Sequence, residues 1–287
     1  MSDENKALRR HLHKGAGLLV PGAANAVTAR LIETLGFPAA YVTGAGVANS
    51  FLGAPDIGLI TLTELAQQVA AMRENVALPL IVDADTGFGN AVNTARAVKV
   101  LERAGANAIQ LEDQAFPKRC GHFAGKHVIQ AAELALKVKA ASEARTDTEF
   151  VVIARTDALA VTGLDDALER ARRYIEAGAD VTFVEAPRST ADLTRIAALP
   201  APQVVNLVVG GLTPMLPRAA LAQMGFAIVL YANAALQAAM QAMKTVLRHL
   251  GETGSLDGVT DMLMDFAERQ AIVGKPRYDA LEQRYAG

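Results

Sequence analysis

Two stretches, LERAGANAIQLED at 101–113 and YIEAGADVTFVEA at 174–186, are versions of one phrase. Each runs from a helix-forming segment through an Ala-Gly turn into an apolar run that finishes in acid. Glycine there supplies the left-handed residue that ends a helix before the chain turns into a strand. A looser third copy, ETLGFPAAYVTGAG, lies at 33–46. A unit of helix, turn and buried strand that repeats in this way predicts a parallel sheet built from βα steps.

Strand-length apolar runs recur at 17–22, 39–44, 78–85, 107–113, 149–157, 180–186, 202–208 and 226–232. They alternate with stretches rich in Ala, Leu, Glu and Arg, and no linker interrupts them. Eight strands joined by helices predict a closed (β/α)8 barrel, a TIM barrel, with 1–287 as one domain. An open doubly wound sheet is the alternative. Residues 233–287 exceed one barrel helix; NAALQAAMQAMKTVLRHLGETGS at 233–255 and VTDMLMDFAERQAIV at 259–273 read as helices that pack outside the barrel or against another subunit.

With 287 residues, 51% of them hydrophobic, the chain can bury a large core. A formal charge of -2, both signs scattered, gives no footprint for nucleic acid or an anionic membrane, so small molecules are the expected partners. One cysteine forms no internal disulfide, the N-terminus is polar, and no apolar run is long enough to span a bilayer, which predicts a cytoplasmic protein.

Polar residues gather at the ends of the proposed strands: Thr43, Asp83, Asp85, Glu112, Asp113, Arg155, Asp157, Glu185 and Asn206. A barrel brings such ends around one mouth. Charged groups there are costly unless they meet a partner or a metal, so the pattern predicts an active site. In DADTGFGN at 83–90, strand alternation is expected to point both Asp83 and Asp85 at the mouth. Paired hard carboxylates favour Mg2+ or Mn2+; a helix-capping turn is the plainer reading. Backbone N–H groups around Thr43, Gly44, Ala45 and Gly46 are suited to a carboxylate or phosphate, although no nucleotide fingerprint is complete. Arg155 can pair with a substrate carboxylate or with Glu185.

The single cysteine lies in PKRCGHFAGKH, 117–127. A lone cysteine is ordinarily buried and inert. Here Lys118, Arg119, His122 and Lys126 are placed to stabilise a thiolate or balance an anionic substrate, while the ligand spacing does not suit zinc.

KRCGH at 118–122 after LEDQ at 111–114, together with DADTGFGN, IARTDA at 153–158 and NLVVGGLTP at 206–214, resembles the isocitrate lyase and phosphoenolpyruvate mutase superfamily. The resemblance runs from VPGAANAVTARL at 20–31 to MGFAIVLYA at 224–232, and KRCGH is similar to its carbon–carbon lyase branch. It implies a Mg2+-dependent barrel that forms a homotetramer, as two dimers that swap their last barrel helix. It further implies that Asp83 and Asp85 hold the metal, supported by Asp56 and Glu112. Thr43, Gly44, Ala45, Gly121, His122 and Asn206 would bind substrate. Tyr41, Arg155 and Glu185 would serve catalysis beside Cys120, the acid that protonates the carbanion.

The substrate class so implied is a di- or tricarboxylate. CGHFAGK and NLVV depart from the CGHRPNK-like loop and N-x-T-E strand end of methylisocitrate lyases, which disfavours a third carboxylate. The expectation is cleavage of an alkyl-substituted malate, such as 2,3-dimethylmalate, to a 2-oxo acid such as pyruvate plus a carboxylate. Methylisocitrate lyase, oxaloacetate hydrolase and a non-enzymatic barrel are the alternatives. Val209, where the branch has Glu, is expected to line an alkyl pocket, and Gln110 stands where several lyases have His.

Overall fold

The computed structural model describes residues 2–119, 121 and 125–286. Eight parallel strands close into a barrel in sequence order: β1 (Leu18–Ala23), β2 (Ala40–Val42), β3 (Leu80–Asp83), β4 (Ala108–Glu112), β5 (Val151–Thr156), β6 (Val181–Val184), β7 (Gln203–Asn206) and β8 (Ile228–Tyr231). Pairing of Leu18 with Ile228 and Val20 with Leu230 joins the last strand to the first. Each expected strand is present, and closure excludes the open sheet. The strands are buried almost without a break, as parallel strands covered on both faces require.

Helices follow the strands: α1 (Ser2–Arg10) precedes β1, then come α2 (Ala26–Thr34), α3 (Gly44–Val47), α4 (Leu62–Arg73), α5 (Ala91–Ala104), α6 (Ala131–Ala144), α7 (Leu164–Glu176), α8 (Thr190–Ala197) and α9 (Arg218–Met224). After β8 come α10 (Ala234–Thr253), α11 (Phe266–Ile272) and α12 (Lys275–Tyr285). The repeated turn works as its composition predicts. Gly105 ends α5 at φ 105°, where a Cβ would stand 2.4 Å from Arg73 Cγ, and Gly36 and Gly178 take positive φ at the matching places.

Alternation sorts each strand into two faces. Val20, Tyr41, Ile81, Ile153, Phe183, Val204, Ile228 and Leu230 fill the barrel interior. Their neighbours Val42, Val82, Ile109, Val152, Val184 and Val229 pack outward under the helices. Leu8 of α1 joins the interior cluster, so the polar N-terminal segment supplies an amphipathic plug that its composition alone did not reveal.

The same end is tied by a buried amide hub. Asn107 Oδ1 accepts from Leu80 N at 2.8 Å and Arg73 Nη2 at 2.7 Å, and its Nδ2 donates to Asn5 Oδ1 at 2.7 Å. Asn107→Ala strands these partners away from water and is expected to lower the unfolding free energy by about 2–4 kcal/mol. The check is the urea midpoint; one equal to wild type would show that the hub contributes nothing.

Candidate active site

One step beyond the interior layer, the inward face of six of the eight strands carries a polar residue. Tyr41 leads to Thr43, Ile81 to Asp83, Gln110 to Glu112, Ile153 to Arg155, Phe183 to Glu185 and Val204 to Asn206. Thr43, Asp83, Glu112, Arg155, Glu185 and Asn206 line one pocket together with Tyr41, Phe183, Ala45, Asp56, Lys118, Arg119 and Gly121. Asp113 has the opposite parity and faces the helices. It accepts from Thr156 Oγ1 at 2.7 Å, Tyr174 Oη at 2.9 Å and Arg170 Nη1 at 3.2 Å, which corrects its expected place at the mouth.

Asp83 and Asp85 do converge, but alternation is not the reason. β3 ends at Asp83, and Asp85 lies in the following turn with φ 47°. A Cβ built on Gly44 would be 3.1 Å from both Asp83 Oδ2 and Asp85 Oδ1, so the two carboxylates and the start of α3 share one small space. Gln110 fixes the first of them: its Nε2 donates to Asp83 Oδ1 at 3.3 Å while its Oε1 accepts from Tyr41 Oη at 2.9 Å. This role was legible in principle, because Gln110 shares a strand face with Glu112.

Lys118 enters the acid cluster from the 117–127 loop. Its ammonium lies 2.8 Å from Asp85 Oδ1 and pairs with Asp56, with only 3% of the side chain exposed. Burial would pull this amine down, but Asp85, Glu112, Asp83 and Asp56 outweigh burial and hold it well above the usual lysine range. Burial pushes the Asp85 carboxyl up to about 7 despite Lys118, and it pushes Glu112 up as well against Arg155 and Lys118. Glu112 Oε1 is buried without a hydrogen bond among the described residues.

These features fit a divalent cation. An ammonium already sits against Asp85, and hard oxygens meet from two residues; Mg2+ is commonly held by one or two carboxylates, with waters and substrate oxygens completing its shell. Among the described residues no three His, Cys, Asp or Glu side chains form a closed metal cage.

Arg155 is committed to protein partners. Its Nε and Nη2 bind Asp157 at 2.9 and 3.0 Å, its Nη1 meets Glu185 Oε2 at 3.0 Å, and Glu112 is 3.4 Å from Nε. The guanidinium also lies over the Phe183 ring. Of the two readings of Arg155, the Glu185 pair is present, joined by a bidentate pair with Asp157 that the sequence did not single out. Asn206 Oδ1 is buried and lacks a hydrogen bond among the described residues, while Thr43 Oγ1 donates to Asn233 Oδ1 and accepts from Gly46 N. Gly44 N points at Asp83 Oδ2, 3.4 Å away.

Cys120 and His122 lie outside the described residues. The described residues on either side of them are anchored. An antiparallel bridge between Gln114 and Val128 forms its stem, and Gln114 grips the Arg119 backbone from both sides, at 2.7 and 2.9 Å. Gly121 rests on the site: a Cβ there would fall 2.4 Å from Arg155 Nη2 and 2.7 Å from Glu185 Cγ. Val209 does not line the pocket, being 69% exposed; Val208 does, because β7 has ended and the chain turns outward between them.

A closed eight-stranded barrel with buried acids, cations and amides at its strand tips defines a (β/α)8 protein with its site at the C-terminal mouth. The chain belongs to the phosphoenolpyruvate phosphomutase family, whose sequence pattern matches residues 8–250. It is 42% identical over 270 residues to 2,3-dimethylmalate lyase of Eubacterium barkeri, covering 94% of this chain and 93% of that one. A 2-methylisocitrate lyase of Aeropyrum pernix is 41% identical over 273 residues, with 95% and 88% covered. The crystal structure of a phosphonopyruvate hydrolase complexed with oxalate and Mg2+ superposes with TM-score 0.88 at 33% identity, covering 99% of each chain.

A carboxyl raised on folding costs stability above its unfolded value, and above about 7 the cost of Asp85 is complete. Metal-free Asp85→Asn is therefore expected to melt higher than wild type at pH 8, with the difference fading as pH falls toward 4. A lower melting temperature at pH 8 would mean that the Lys118 pair outweighs burial.

Proposed function

We propose that this chain is a divalent-cation-dependent carbon–carbon lyase that splits an alkyl-substituted malate, of the 2,3-dimethylmalate type, into a 2-oxo acid and a carboxylate. The observation that carries the reading is the two-sided pocket. Acids, cations and amides line one part, while Phe183, Val208, Leu230 and Ala232 give an apolar wall for alkyl groups. The similarity to dimethylmalate lyase over nearly the whole chain supports it.

Asp83 and Asp85 would hold Mg2+, or Mn2+, with Asp56 and Glu112 supporting them. The cation's chemistry is Lewis-acid polarisation of the 2-hydroxy acid oxygens. Thr43, Gly44, Ala45, Gly121, His122 and Asn206 would fix the substrate carboxylates. Tyr41, kept protonated by burial and by the charge of Asp83, would stand as a neutral hydroxyl beside the reacting carbons. The substrate hydroxyl would give its proton to water in the pocket, its oxygen electron pair would form the C2=O bond of the 2-oxo acid, and the C2–C3 bond would break with its electron pair passing to C3, giving a carbanion next to a carboxylate. Arg155, oriented by Glu185, and Lys118 would stabilise this charge, and Cys120 would donate its thiol proton to C3. Arg119 and Gly121, either side of Cys120, line the pocket, which supports that assignment.

Pyruvate formation from 2,3-dimethylmalate, with Mg2+ present and after its removal by chelation, is the direct test. Cleavage of 2-methylisocitrate in preference, or release of oxalate from oxaloacetate as the main reaction, would overturn it. Cys120→Ser is expected to lower kcat by about 10²–10⁴-fold; turnover near wild type would remove it from the acid role.

Residues 1–287 would act as one catalytic domain in the cytoplasm. A second copy is the partner best suited to the C-terminal helices. No residue of α10 is buried, and Met240, Met243, Leu247 and Leu250 are all exposed along it. Such a stripe calls for cover, and exchange of this helix between subunits of a tetramer would supply it. Light scattering should give a mass near four times the 30.2 kDa chain, and Met243→Asp with Leu247→Asp should reduce it. A monomeric wild type would overturn the assembly.

A further inference from the structure

Lys118 ties one side of the 117–127 loop to the acids around Asp85, and Lys126 ties the other side to a separate place. Its Nζ lies 2.7 Å from Asp157 Oδ1 and also donates to Gly121 O. The ion pair is sealed, with 2% of the Lys126 side chain exposed and none of Asp157. Asp157 is the same carboxylate that accepts hydrogen bonds from Nε and Nη2 of Arg155. Its backbone N–H is in turn held by Asp113 Oδ1 at 2.9 Å.

We propose that Lys126 and Asp157 form a buried clasp through which the seated loop positions Arg155. Both are positioning residues. Three carboxylates, of Asp157, Glu185 and Glu112, face the one guanidinium of Arg155. Lys126 brings a second cation to Asp157, so Arg155 does not neutralise that acid alone. Removing one partner from a buried charge pair leaves the other uncompensated. With Lys126 withdrawn, Arg155 is drawn toward Asp157 at the expense of Glu185. Steric contact reinforces the coupling, since the Gly121 backbone leaves no room for a Cβ beside Arg155 Nη2. Burial alone pushes the Asp157 carboxyl up, but Arg155 and Lys126 prevail and hold it at about 2, so Asp157 is ionised at any physiological pH.

The kinetic arm of the test rests on the lyase reading; the exchange arm does not. Lys126→Met keeps the length of the side chain and removes its charge. Amide hydrogen exchange, followed by mass spectrometry over the stem around Gln114 and Val128, is expected to quicken about tenfold in Lys126→Met and in Asp157→Asn. The double variant should exchange no faster than either single one, because both remove one interaction. Lys126→Arg should restore much of the protection. Unchanged exchange in Lys126→Met, or additive effects in the double variant, would overturn the clasp. In turnover, Lys126→Met is expected to lose about tenfold or more in kcat with little change in KM, and Lys126→Arg to recover part of the loss. A kcat equal to wild type, with exchange quickened, would overturn the positioning of Arg155. A wild-type protein without lyase activity would instead end the lyase reading and leave the exchange result to decide the clasp.

Discussion

Charge without water is the constraint on which this site depends. The barrel carries Asp83, Asp85, Glu112, Asp157 and Glu185 to one mouth, where burial opposes the ionised forms of Asp85, Glu112 and Asp157. The cations that answer them come from one strand tip, at Arg155, and from one loop, at Lys118 and Lys126. Loop position and the electrostatics of the mouth therefore form one problem. An ammonium resting against Asp85 also marks where a more highly charged cation would be favoured, and a stability cost at Asp85 is what a poised metal ligand would carry.

The barrel separates this charged end from one tied by amides. At the opposite mouth, Leu8 plugs the interior while Asn107, Asn5 and Arg73 complete one another's hydrogen bonds. Toward that end Gln203 Oε1 is also buried without a hydrogen bond among the described residues, but no acid cluster gathers there. At the active end, Glu112 Oε1 and Asn206 Oδ1 are buried with no hydrogen bond among the described residues. Polar atoms left in this condition are costly in a core and useful in a pocket, where a ligand can satisfy them.

Strand parity does much of the sorting. Neighbours on β4 and just beyond it, Glu112 and Asp113 are both buried acids, yet one faces the pocket and the other locks Thr156, Arg170 and Tyr174 beneath the helices. The side-chain period of two separates them. Val208 and Val209 divide in a related way, except that the strand has ended, so the outward turn of the chain decides which one meets the pocket.

By itself, the sequence determined the eight strands, their order, the glycines that end the preceding helices and most of the polar residues at the mouth. These follow from local pattern: apolar runs of fixed length, turn chemistry at set offsets and acids at strand ends. The amphipathic plug of α1, the left-handed turn at Asp85, the seat of Lys118 among the acids and the Lys126–Asp157–Arg155 chain were decided only in three dimensions. Each depends on contacts between distant parts of the chain, or on backbone geometry after a strand has ended. Periodicity reports which face a residue takes while a strand lasts; it does not report what a loop brings to meet it.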